Sequence, residues 1–298
     1  MRTKKIKKID YTTIIGWGVG ILLILLAISF NVDRYTGSVN FNLKLASNFF
    51  DIPSVFIVFG GTFCVLFASY PIEFFKRVKT HLKVVIFPPQ YSPALYIRAI
   101  VALAKSARMN GLLSIEEKVS NLDDVFLRNS LLMVIDSVEA QKVKISMETE
   151  LDYLDARHSQ DIEMYIKGSE YAPAFGMLGT LIGLINLLKN LTNQDALVQN
   201  MAVALVTTFY GVIIANLFFK PMAVKLQTRH DEEMLCKTII AEGVMAIQDG
   251  DNPKFIEEKL MRLLAKQPNL NVNKINSNKA KTVKSNNVRP KNNTVKKK

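Results

Sequence analysis

Two cysteines in 298 residues, Cys64 in an apolar run and Cys236 in an amphipathic one, leave no disulfide framework and no thiolate metal site to build. The three histidines, His81, His158 and His230, are isolated in sequence from one another and from either cysteine. No pair has metal-ligand spacing, and each reads as a surface residue. A glycine-rich phosphate loop is missing as well, so the common signatures of an enzyme are gone and no catalytic residue, metal ligand or bound cofactor is expected. The most informative absence is charge. Four stretches contain no Asp, Glu, Lys or Arg: 22 residues over 11–32, 21 over 52–72, 18 over 171–188 and 24 over 196–219. Each is about the length that crosses ~30 Å of hydrocarbon as a helix.

The formal charge of +12 resembles a nucleic-acid signal until it is located. Five Lys or Arg against Asp10 sit in residues 1–10, and nine Lys or Arg with no acid sit in 267–298, which leaves the rest of the chain near neutral. The last 32 residues also lack aromatics, so they cannot bury enough apolar surface to order; a flexible tail loosely attracted to anionic membrane lipid is expected, with no nucleic-acid partner.

The spans organise the remainder. The basic start before 11–32 could head a signal peptide, but the apolar run is too long and no small-x-small site closes it, so it reads as a first membrane helix with its lysines on the cytoplasmic side. The connection 33–51 carries two acids and two bases and can face outside. The run 52–72 ends at Glu73, Lys76, Arg77, Lys79 and Lys83, a cluster that holds this end in the cytoplasm. Residues 73–167 then read as helices in water. Tyr96, Ile100, Leu103 and Ala107 recur at three and four under a basic face, Gly111 ends that helix, and Ser114 to Glu117 fits a capping box opening another. Amphipathic patterns follow over 124–138 and 146–167, the second leading into the third span. A short polar turn, 190–195, closes the hairpin of spans 168–189 and 196–220. Helical pattern resumes after Pro221 to about 248, Gly250 breaks it, and Asn252-Pro253 opens a last helix to about 266, completing a cytoplasmic segment 221–266. The fold class is all-α integral membrane protein: four transmembrane helices, a large helical cytoplasmic region between the second and third, and a cytoplasmic C-terminal helical segment.

Within the hairpin the small residues fall at helical spacing. Gly176, Gly179, Thr180 and Gly183 make one smooth face on the third span and Ala204, Thr208, Gly211 and Ala215 one on the fourth, suited to close helix packing. Thr180 and Thr208 lie near the middle of their spans, at similar depth. A membrane Thr can simply bond the carbonyl four residues earlier; two at matched depth can also line a pathway. An ion pathway nearly always uses a buried ionisable group, and the runs 171–188 and 196–219 inside these spans have none, so such an acid would come from another chain.

Three stretches carry a family resemblance: APAFGMLGTLIGL at 172–184, MAVALVTTFYG at 201–211 and KSARMNGLLSIEE at 105–117. With the order of spans they make the chain, over roughly 11–265, similar to the flagellar-motor stator subunits of the MotA/TolQ/ExbB superfamily. The resemblance implies an ion-conducting stator subunit that couples proton or sodium flow to torque, works as a homo-oligomer of five in the bacterial cytoplasmic membrane, and surrounds a MotB-type single-span partner supplying the transmembrane Asp. It implies that Arg108 and Glu116 touch a rotor switch protein, that Pro173 and Pro221 flank the ion pathway and that Thr180 and Thr208 line it. Thr at both positions looks more like the sodium-driven members. The Gly and Ala faces would then give a ring of low relief that slides around the partner. Two alternatives stay open: an energiser of the TolQ or ExbB kind, which resembles a version with three membrane helices, and a membrane scaffold whose basic tail binds an acidic partner.

Overall fold

A computed structural model describes residues 9–32, 39–189 and 191–265. The basic start, the middle of the first connection, Asn190 and the basic tail, all singled out above, lie outside the described residues. The described residues are almost entirely helical and include four helices long and apolar enough to cross a membrane.

The first is α1, Tyr11–Ser29, closed by Ser29, whose hydroxyl donates to the Leu25 carbonyl at 2.8 Å. A short antiparallel pair follows, β1 (Phe30–Val32) with β2 (Val39–Phe41), in register Phe30 to Phe41. The sequence pattern gave no hint of it, since three residues per strand are too few to show alternation; a ring contact of 5.8 Å between Phe30 and Phe41 closes it. The second membrane helix, α2, is Ile52–Ser69. Asp51 caps it by accepting from the Ser54 amide at 2.8 Å, and Phe56–Gly60 forms a wide π turn within it. It stops three residues earlier than the uncharged run because Pro71 pushes Tyr70 into extended backbone. Helix α3, Ile72–Ile86, follows at once.

Next come α4 (Pro93–Asn110), a 3₁₀ turn at Leu112–Ile115, α5 (Glu116–Ser120) and α6 (Val125–Ile135). The capping box expected at Ser114 does not form. The Ser114 hydroxyl instead donates back to the Gly111 carbonyl at 2.7 Å, and α5 starts after Ile115 with no side-chain cap, because the turn forced by Gly111 (φ +82°) leaves a carbonyl there that Ser114 satisfies. Asp124 does cap α6, accepting from the Leu127 amide at 3.0 Å.

Two long helices complete the chain before α9, Pro253–Ala265. Helix α7, Ala140–Lys189, has 50 residues with Pro173 inside it, and α8, Gln194–Gln248, has 55. Asn193 caps α8 through the Ala196 amide at 3.2 Å. The helix does not break at Pro221 as the sequence suggested. A π turn at Ile214–Phe219 widens the helix just before the proline, where its ring would otherwise crowd the carbonyl four residues back.

Two compact units are formed. Among the described residues, one holds 91–151 and 232–265. Its core is Ile97, Ile100 and Ala104 of α4, Phe126, Leu127 and Leu131 of α6, Val143 and Met147 of α7, Ile239, Ile240 and Val244 of α8, and Ile256, Leu260 and Leu264 of α9. Gly243 is needed where α8 meets α4: a methyl there would sit 2.7 Å from Ile100. The other unit, the described residues within 9–90 and 152–231, contains the apolar helices. Its core joins Val58 and Leu66 of α2, Val85 of α3, Ile162, Tyr165 and Ala172 of α7, and Ala215, Phe219 and Met222 of α8.

Candidate functional site

The glycines of the third span face the fourth. A methyl on Gly176 would lie 3.1 Å from the Thr207 carbonyl oxygen, one on Gly179 would enter the Thr207 side chain at 2.4 Å, and one on Gly183 would lie 2.7 Å from the Asn200 carbonyl. Gly211 answers from α8: its missing Cβ would come within 2.6 Å of the Ala172 carbonyl and 3.1 Å of the Pro173 Cα. Ala204 and Ala215 are buried. The small faces are therefore spent on each other inside one chain, and the expectation that they form a smooth sliding surface for a partner is corrected. Two backbones that approach this closely leave no room for a second protein between them.

At the edge of this seam sit the two predicted hydroxyls. Thr180 Oγ1 lies 2.6 Å from Thr208 Oγ1, and also 3.1 Å from the carbonyls of Gly176 and Ala204; Thr208 Oγ1 is 3.4 Å from the Ala204 carbonyl. Each Thr thus bonds the carbonyl one turn earlier, and the two hydroxyls also meet each other. Each hydroxyl has one proton, so two protons serve four close contacts and oxygen lone pairs are in surplus. Thr208 is exposed and Thr180 half-buried, which keeps the pair open on one side. An arrangement of hydroxyl and carbonyl oxygens can pass a proton along hydrogen bonds or coordinate a hard cation.

The two prolines lie below the pair. Pro173 offers no amide to the Ser169 carbonyl, and Pro221 follows the π turn, so both helices have loosened ladders at this level. The Phe219 ring fills the space over Gly168, where a methyl would come within 2.3 Å of it. Sequence reasoning missed Thr207, which is fully buried, donates to the Val203 carbonyl at 2.8 Å and fills the notch of Gly179. The Thr-Thr pair was visible, but which of the two faces the seam depends on helix phase.

The histidines are corrected too. His81 and His230 are buried, and distance in sequence concealed their partners. His81 bridges Asp161 (3.3 Å) and the Tyr165 hydroxyl (3.1 Å), while Arg77 meets Asp161 at 3.0 Å. Burial first, and the Asp161 charge second, push the Tyr165 phenol above its usual range. His230 stands between His158, with ring nitrogens 3.2 Å apart, and Asp155 at 2.9 Å. Asp10 receives Lys225 and Arg229, each at 3.0 Å; its burial would raise the carboxyl, but the hydrogen bonds of Thr12 and Lys225 and the Lys225 charge outweigh it and hold the group well below the carboxylate range. These networks tie α1, α3, α7 and α8 together with buried charge that is paired.

In the other unit, Arg108 closes α4 and Glu116 opens α5, on either side of the Gly111 turn. Ile115 and Val119 are fully buried and anchor the turn, and Lys118 donates to the Ser106 hydroxyl across it at 3.1 Å. Arg108 and Glu116 are exposed and make no ion pair among the described residues, and Met109 and Leu113 beside them are exposed as well. Cys236 is a buried thiol, pushed up to about 12 by burial and then by the carboxylates of Glu232 and Asp124.

Compared with known proteins, residues 118–238 match the MotA/TolQ/ExbB proton channel family. Motility protein A of Borreliella burgdorferi is 39% identical over 255 residues, covering 86% of this chain and 94% of that one. The chain belongs to the MotA/TolQ/ExbB family. Among solved structures it is similar to the C. jejuni MotAB structure, at TM-score 0.73 and 26% identity over 88% of this chain and 99% of that one. It is also similar to the flagellar MotAB stator complex from Bacillus subtilis, at TM-score 0.72 and 27% identity over 84% and 94%. Likeness over nearly the whole of both chains places the MotA-type region, four membrane helices included, within the family fold, and the chain is a membrane stator-type subunit of a channel family.

Proposed function

We propose that this chain is the ion-conducting stator subunit of a bacterial flagellar motor, acting as a homo-oligomer around a MotB-type partner and coupling cation flow to torque on a rotor switch protein. The observation that carries the proposal is the Thr180–Thr208 contact of 2.6 Å, an open oxygen cluster within the runs 171–188 and 196–219, which contain no acid of their own. A cation crossing hydrocarbon needs a counter-charge, and a partner's transmembrane Asp opposite this cluster supplies it. Pro173 and Pro221 flank the pathway, and Arg108 and Glu116, without an ion pair among the described residues, steer and grip the rotor. Both ends of the chain lie in the cytoplasm, and the transported H+ or Na+ is cargo; two Thr hydroxyls favour sodium. Four membrane-length helices favour a stator over an energiser of the three-helix kind.

Swimming in sodium and in proton gradients, with an inhibitor of each, tests the reading. The expected outcome is motility that follows one gradient and is lost in Thr180→Val with Thr208→Val, while membrane assembly with the partner persists. Full motility of that double variant would overturn it.

A further inference from the structure

The basic cluster after the second membrane helix marks which side of the membrane that end lies on, yet its three lysines have no part in the pathway. Lys76, Lys79 and Lys83 lie on one face of α3 at spacings of three and four, all exposed, and none has an ion pair among the described residues. The opposite face is committed: Val78 and Leu82 pack on the core, His81 and Val85 are buried, and Arg77 is engaged with Asp161. One acid, the exposed Glu73, stands at the start of the helix, and Arg77 leans on its backbone carbonyl rather than its carboxylate.

Both ends of α3 are tied to ends of membrane helices. Its first residue follows the end of α2 by three positions, and the Ile86 carbonyl at its other end accepts the Asp10 amide at 2.9 Å, immediately before α1. A helix of 15 residues, about 22 Å long, therefore runs between the ends of two membrane helices, at the level where lipid headgroups lie. Exposed apolar residues bracket the lysines, Ile72 at the start and Phe87 just past the end. Apolar ends with a basic middle are the composition of a helix lying in the membrane interface.

We propose that the outer face of α3 docks acidic phospholipid headgroups, with Lys76, Lys79 and Lys83 meeting the phosphates and Ile72 and Phe87 reaching the acyl boundary. The occupant follows from charge complementarity and from continuity with the membrane-spanning helices: free lysines held at the headgroup level of an anionic leaflet attract its lipids. The proposal rests on the membrane placement of the chain and is independent of which ion it carries or which rotor it meets.

The test is lysine acylation followed by mass spectrometry on the full chain with its partner, in nanodiscs of phosphatidylcholine alone or mixed with phosphatidylglycerol. Lys76, Lys79 and Lys83 should react about fivefold more slowly with phosphatidylglycerol present, and the difference should shrink at high salt, while Lys144, distant in sequence and paired with Glu148, reacts alike in both. Native mass spectrometry should show phosphatidylglycerol retained on the parent complex and less of it on the Lys76→Gln, Lys79→Gln, Lys83→Gln variant. Equal reactivity in the two lipids would overturn the proposal, and so would equal protection in both, which would assign the lysines to an acidic protein surface. Because the acylation measurement needs no variant, a triple variant that failed to assemble would leave it decisive. Full motility of the Thr180→Val, Thr208→Val variant with lysine protection intact would count against the stator reading and not against this one.

Discussion

The two units of this chain differ in what they leave outside and in how much polar chemistry they bury. In the unit built on α4, α6 and α9, the buried side chains are mostly alkyl and aromatic, such as Ile100, Leu127, Leu131 and Ile256, and charges such as Arg108 and Glu116 are outside. In the unit of the membrane helices the exposed residues include Leu22, Leu181, Leu205 and Val212, whereas Ser54, Thr62 and Thr207 are buried. The first is held by apolar area removed from water. The membrane part of the second cannot be, because lipid tails are as apolar as leucine; it is held by backbone proximity at glycine and by hydroxyls such as that of Thr207, which donates to the Val203 carbonyl. The same helix α7 obeys both rules along its length, which is why a single amphipathic reading cannot describe it.

Substitutions sharpen that contrast, beginning with the largest effect. Gly179→Leu places a side chain where even a methyl meets Thr207 at 2.4 Å, so the hairpin should not close; the expected outcome is loss of assembled complex on size-exclusion chromatography. Truncation at an exposed apolar position, Leu181→Ala, should by contrast leave assembly intact. In the other unit the loss runs through cavity formation: Leu131→Ala, at a fully buried position, should cost about 2–5 kcal/mol and lower the melting temperature, with hairpin packing unchanged. A smaller effect is expected at Asp10. Its carboxyl is held low in the folded chain, so its contribution is present above the unfolded carboxylate range near 4 and is lost as pH falls below it; Asp10→Asn should remove that part of the acid sensitivity in a melting series against pH. Smallest are Arg108→Glu and Glu116→Lys. Exposed charge interactions are worth about 0–1 kcal/mol each, so either reversal should weaken swimming without altering membrane assembly, and the pair should be additive in a motility assay. If both together left swimming unchanged, the rotor-contact assignment would be wrong.

The membrane helices were legible because hydrocarbon thickness sets a length, and charge within a span is too costly to leave the run unmarked. The matched Thr180 and Thr208 were legible for a related reason: helical phase and span centre locate a residue in two coordinates without any tertiary knowledge. Three things were hidden. The small faces looked available to a partner, but whether a smooth helix face meets its neighbour or a second protein is a property of the assembled hairpin. Pro221 looked like a break, since nothing in the local text announces the π turn that absorbs it. The networks of His81 with Asp161 and Tyr165, and of His158 with His230 and Asp155, join residues more than 70 positions apart, a separation over which spacing carries no information.

The central claim is that this chain provides the oxygen lining of an ion pathway and lacks its charge. Ion flux into vesicles containing the full chain, with and without the MotB-type partner, measures that directly. The account predicts little flux from the chain alone, flux when the partner is present, and its loss when Thr180 and Thr208 are both changed to Val. Robust conduction by this chain without any partner would contradict it.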